Sequence, residues 1–134
     1  MPTRLVSCVT STLATIRGWV FRVRIKARRA RGARPETRGL RLLRAWLSAE
    51  QRSQFDSDRC FEVTGCDTGR RYRIHYGVAT NVHQLDANGV PILGWCFAPQ
   101  GHLVPADVML AQKIALENDE REALAIANSA PVRR

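Results

Sequence analysis

Between Cys60 and Phe97 the chain alternates apolar and polar residues, breaks at turn residues, and resumes. No other stretch constrains the fold as tightly. Phe61 and Val63 alternate with Glu62 and Thr64, and the segment from Gly65 to Gly69 supplies a turn. Tyr72, Ile74 and Tyr76 then alternate with Arg71, Arg73 and His75. A period of two sends successive side chains to opposite faces, so this is an antiparallel pair with one apolar and one polar face. A segment around Asn81–Leu85 runs into Asp86-Ala87-Asn88-Gly89, and Ile92–Phe97 returns from it. Asn-Gly between apolar runs signals a hairpin, because both residues tolerate positive φ. The expectation is a sheet of three or four strands. Its inner face should carry Phe61, Val63, Tyr72, Ile74, Tyr76 and one or both of Trp95 and Phe97.

Helical periodicity flanks this sheet on both sides. Leu40, Leu43, Trp46 and Leu47 are spaced three and four apart, as on one helix face. Ser48 followed three residues later by Gln51 matches a capping box, so a second short helix should begin at Ala49 and end near Phe55. Pro105 opens the strongest helix, predicted to run to about residue 128, with Asp107 well placed at its positive end. Val108, Ala111, Ala115 and Leu116 make one stripe, continued by Ala123, Ile126 and Ala127. Asn118-Asp119 should kink it, with Asp119 and Glu122 as a second capping box. Helix, strands, then helix predicts an α+β domain with segregated layers. Phe61, Tyr72, Ile74, Trp95, Val108, Ala111 and Ala115 are the expected core.

Charge divides the 134-residue chain differently. The net charge is +9, yet residues 1–45 hold 12 Lys or Arg and one acid, Glu36, while residues 46–134 hold 9 Lys or Arg and 11 acids. The first balance is +11 and the second −2, so the basic character belongs to the N-terminal third. Leu5, Val9, Leu13, Ile16 and Val20 fall on one helical face of an acid-free stretch. That is the description of an organelle transit peptide, of a weak secretory signal, or of an incidental upstream extension. Val20–Lys26 also alternates like a short strand. From Lys26 to Gly39 the Arg-rich, Pro- and Gly-containing run reads as a disordered linker. The expected organisation is a basic arm over residues 1–39, one domain over 40–129, and a tail over 130–134.

WLSAEQRSQF, FEVTGCDTGRRYRI, NVHQLD, WCFAP and DVMLAQKIALENDEREALAIAN, taken together, resemble a family of short uncharacterised bacterial proteins. The likeness covers about residues 40–129 and stops short of residues 1–39. It implies a bacterial cytoplasmic protein and weakens the transit-peptide reading. It implies no activity, cofactor or catalytic residue.

The candidate chemistry is correspondingly sparse. Cys8, Cys60, Cys66 and Cys96 show no close pairing, and without a convincing secretion signal reduced thiols in the cytoplasm are expected. No run approaches the apolar length of a spanning helix. Cys60, Cys66, Cys96, His83 and His102 are the candidate zinc ligands or catalytic set, but none has the two-to-four-residue spacing that delivers paired ligands. No cofactor is expected. The Thr68-Gly69 turn with Arg70 and Arg71 could cradle a phosphate on backbone amides, though it lacks the spacing of a phosphate loop. Arg22, Arg24, Lys26, Arg28, Arg29, Arg31, Arg34, Arg71 and Arg73 are the candidate residues for nucleic acid or another polyanion. Cross-strand pairing with Glu62 offers Arg71 and Arg73 a purely structural role. A small binding module, a protein partner docked on the C-terminal helix, and an unrecognised enzyme are the classes left open.

Overall fold

A computed structural model describes residues 34–132. From residue 36 onward the described residues belong to one compact unit. Helix α1 is described over 34–46, followed by α2 (Ala49–Asp58). Four strands come next: β1 (Cys60–Thr64), β2 (Arg71–His75), β3 (Val82–Leu85) and β4 (Pro91–Cys96). Helices α3 (Pro105–Asn118) and α4 (Glu120–Ile126) then lead to β5 (Asn128–Ala130). The sheet is antiparallel throughout, in the order β1-β2-β3-β4-β5. The protein is therefore α+β, with one more strand than expected.

That fifth strand is Asn-Ser-Ala, with no apolar alternation to betray it. It pairs through backbone alone, and Gly94 makes room: a Cβ there would lie 3.2 Å from the Ala130 carbonyl and 3.0 Å from Thr80 Cγ2. Consequently the chain between 105 and 128 is two helices and a turn into strand. Asn118-Asp119 breaks it as expected, but Asp119 makes no side-chain cap. The capping box at Ser48 and Gln51 is present in both directions. It starts α2 at Ala49, and the helix runs past Phe55 to Asp58. Arg59, in the left-handed region at φ 55°, closes it by donating its N–H to the Phe55 carbonyl.

The β3–β4 turn works by a different device from two positive-φ residues. Only Gly89 is left-handed, at φ 79°. Asp86 Oδ1 accepts from the N–H groups of Asn88 and Val90, both at 2.8 Å, and the ladder shifts register between Gln84 and Leu85. A side-chain-stabilised turn ending in one left-handed glycine and a bulge suits a hairpin's twist equally well.

Between the sheet and the helices lies one core: Leu43 of α1 and Leu47 just after it, Phe55, Phe61, Val63, Tyr72, Ile74, Val82, and Ala106, Met109, Leu110 and Leu116 of α3. Trp95 and Phe97 are half-buried against it. Three expectations shift. Tyr76 follows the end of β2 and is 38% exposed, its hydroxyl bonded to Glu36. Trp46 leaves the α1 stripe and is 58% exposed. On α3 the inward positions are Met109, Gln112 and Leu116, with Ala111 and Ala115 half-buried beside them. Gln112 is polar, and so does not read as core. It is buried because its amide exchanges hydrogen bonds with Asn81 at 2.8 and 2.9 Å and donates to the Phe97 carbonyl at 2.6 Å.

Residues 34–39, assigned by composition to the arm, are helical. Gly39 is buried, and a Cβ on it would come within 2.8 Å of Asp107 Oδ1 and 3.1 Å of Ala106. Its lack of a side chain lets α1 lie against the first turn of α3. The linker reading therefore fails over 34–39, because tertiary packing orders residues that local composition would not. The remainder of the expected arm, residues 1–33, lies outside the described residues.

Candidate functional site

The polar face of the sheet is the place to look for chemistry, because the other face is core. Register aligns Glu62, Arg73, His83 and Gly94 across four strands, with Cys60 opposite His75 one row away. Glu62 sits between two guanidinium groups: Arg71 Nη2 at 2.6 Å from one carboxylate oxygen and Arg73 Nη2 at 2.8 Å from the other. Partial burial pushes the Glu62 carboxyl up, but the two arginines outweigh it and hold it below the ordinary range. The same β1 residue is bound at its backbone. Gln54 Oε1 accepts from the Glu62 N–H at 2.9 Å, and Gln51 Nε2 donates to its carbonyl at 2.8 Å. Helix α2 thereby covers a sheet edge that would otherwise offer free backbone groups to another strand.

Beside this pair, a cleft of about 420 Å³ is lined by Asp58, Cys60, Glu62, Arg73 and His75, with Gln54 at its wall. The His75 and His83 rings lie with centroids 4.7 Å apart. Burial, then His83 and Arg73, lower the His75 pKa. Burial raises that of the Cys60 thiol; Asp58 and Glu62 add to the rise, and Arg73 opposes it. A thiol held protonated beside an imidazole held neutral is not the ion pair a cysteine nucleophile needs.

Arg22, Arg24, Lys26, Arg28, Arg29 and Arg31 lie outside the described residues, as does Cys8. Arg34 is exposed on α1. Arg71 and Arg73 share a face, as expected, and both are engaged by Glu62. Cys60 and Cys96 are half-buried in β1 and β4, Cys66 is exposed in the β1–β2 turn, and His102 is exposed before α3. Among the described residues no three of the histidines, cysteines and acids group as a metal ion would require.

The β1–β2 turn does cradle an anion, but the anion is the protein's own. Glu120, at the start of α4, is fully buried. Its Oε2 accepts from the N–H groups of Asp67 and Thr68, each at 2.8 Å. Its Oε1 accepts from the Thr68 hydroxyl at 2.5 Å and the Tyr72 hydroxyl at 2.6 Å. Burial pushes this carboxyl up, yet the hydrogen bonds prevail and its pKa falls below the ordinary value. Tyr72, buried and facing a carboxylate, is pushed up to about 12. The turn of amides is legible in the sequence, and its occupant is not. Glu120 lies some fifty positions away, with no local pattern to mark it. A Cβ on Gly65 would sit 2.2 Å from the Glu120 carboxyl carbon. Gly65→Ala is therefore expected to cost about 3 kcal/mol, the upper part of the overpacking range, read from chemical denaturation.

One face of α1 carries basic residues without carboxylate partners among the described residues. Arg38 and Arg41 are exposed on the side away from buried Gly39, Leu43 and Leu47, and no carboxylate among the described residues pairs with either. Glu36 is turned instead to the Tyr76 hydroxyl, and Arg44 pairs with Asp56. No family model, curated protein or solved structure matches the chain.

Proposed function

We propose that this protein is a non-catalytic binding module whose basic N-terminal third engages a polyanion. The observation that supports this reading is the partition of charge. The sheet arginines Arg71 and Arg73 are both engaged by the Glu62 carboxylate, whereas residues 1–45 carry a balance of +11 and the α1 arginines at 38 and 41 lack carboxylate partners among the described residues. Attraction of this kind is long-ranged, indifferent to sequence and sensitive to salt. Docking of a protein partner on the C-terminal helices has less behind it. Their inward stripe is taken up by the core, leaving Ile114 and Ile126 exposed.

The test is titration of a labelled single-stranded oligonucleotide with the full chain across a salt series. The logarithm of the binding constant should fall linearly with the logarithm of salt concentration. Replacing Arg22, Arg24, Lys26, Arg28, Arg29 and Arg31 by Gln in the full chain should flatten the slope by about 0.7 for each charge that contacts phosphate. Undetectable binding at low salt to both the oligonucleotide and anionic lipid vesicles, or an oligonucleotide slope the six substitutions do not change, would refute the reading.

A further inference from the structure

We infer that the outward face of α1 is a docking surface for an anionic lipid bilayer, an inference that rests on the polyanion reading above and narrows it. Arg38, Arg41 and Ala45 follow one another at helical spacing directly opposite the core side, and Leu42 and Trp46 run one turn apart along their flank. Leu42 is 50% exposed and Trp46 is 58% exposed. The face thus combines two cations, an aliphatic side chain and an indole, with no acid among them.

The charge says anion, and the apolar flank says which kind. Nucleic acid can stack on an indole, but it has no use for an exposed leucine one helical turn away. A bilayer interface accommodates all four groups together: guanidinium groups at the lipid phosphates, the indole at the headgroup level, and leucine toward the acyl chains. A helix face is also convex, and a deformable lipid surface can wrap it without a matching pocket. Each arginine near an anionic surface contributes about a fivefold gain in affinity, so two of them together with the apolar pair give reversible binding. The helix lies on the membrane and does not cross it.

The test sediments the full chain with vesicles of phosphatidylcholine alone, and with vesicles containing phosphatidylglycerol, beside a titration with a single-stranded oligonucleotide. Binding should require the anionic lipid. The pair Leu42→Ser and Trp46→Ala, at exposed positions whose loss should leave the melting temperature unchanged, should weaken vesicle binding about tenfold or more and leave oligonucleotide affinity intact. Arg38→Gln and Arg41→Gln should each weaken vesicle binding about fivefold. Oligonucleotide binding without vesicle binding would overturn this inference and leave the polyanion reading standing. Loss of oligonucleotide affinity in the Leu42 and Trp46 variants would make the face a base-stacking surface and overturn it too. Failure to bind either probe would overturn both.

Discussion

Glu120→Ala should lose about 3–5 kcal/mol of stability, the range for removing one side of a buried charged network. Four donors converge on this carboxylate: two backbone N–H groups of the β1–β2 turn and the hydroxyls of Thr68 and Tyr72. Alanine would strand them away from water. Around the same point, the Arg121 N–H donates to Asp67 Oδ2 and the Cys66 N–H to the Leu116 carbonyl, so the turn and the start of α4 come apart together. Glu120→Gln keeps the shape and an acceptor for the amides, and hydroxyls can rotate to accept from its NH₂. About 1–2 kcal/mol is expected there.

A pH dependence follows with a definite sign. The Glu120 pKa is lowered in the folded state. Its contribution is therefore complete above the unfolded carboxyl value of about 4.3 and is lost as pH falls through the folded value. Glu62 is lowered as well and acts in the same window. His75, also lowered, resists protonation when folded, so its effect begins higher, as pH falls through the unfolded histidine value of about 6.5. The comparison that isolates Glu120 is wild type against Glu120→Gln. The stability difference between them should be constant above about pH 5 and shrink below about pH 4. A difference unchanged down to pH 2 would show that the carboxylate charge contributes nothing.

What could be read from the residues, and what could not, divides by sequence distance. The β1–β2 alternation, the Ser48 cap and the Asp86 turn are local patterns, each settled within about ten positions, and each is found where the pattern puts it. Glu62 between Arg71 and Arg73 was legible because antiparallel pairing makes them cross-strand neighbours. Glu120, Gln112 and β5 were not. A buried carboxylate, a buried amide and a three-residue strand depend on partners some 15 to 55 positions away, and their residue types usually belong on a surface. Trp46 fails in the opposite direction. Its spacing and hydrophobicity place it in the core, and the helix phase fixed by buried Gly39 and Leu43 turns it outward. Each of these departures is a local rule overridden by a long-range contact, which is where sites and structural locks are to be sought.

Tyr72→Ala is the other substitution expected to endanger the fold, at about 3–5 kcal/mol. Its ring is fully buried on β2, between β1 and β3, and its hydroxyl reaches Glu120 across the layer at 2.6 Å. Two terms add up: the cavity left by the ring, and a carboxylate deprived of one of its four donors. Tyr72→Phe separates them. It retains the ring and removes only a hydrogen bond to a charged acceptor, for about 2 kcal/mol. Domains of this size are stable by about 5–15 kcal/mol, so the alanine variant should be partly unfolded at moderate denaturant while the phenylalanine variant remains cooperative. Combining Tyr72→Phe with Glu120→Gln should cost less than the two losses summed, because both remove the same contact. Additive losses would mean that hydroxyl and carboxylate are energetically independent, and a Tyr72→Ala variant melting like wild type would remove Tyr72 from the core altogether. Neither substitution touches the outward face of α1, so Tyr72→Phe, still folded, should keep full affinity for polyanions. The lock that holds the turn to α4 and the surface that meets a partner are then separable by two single substitutions, Tyr72→Phe and Trp46→Ala, with opposite effects on melting and on binding.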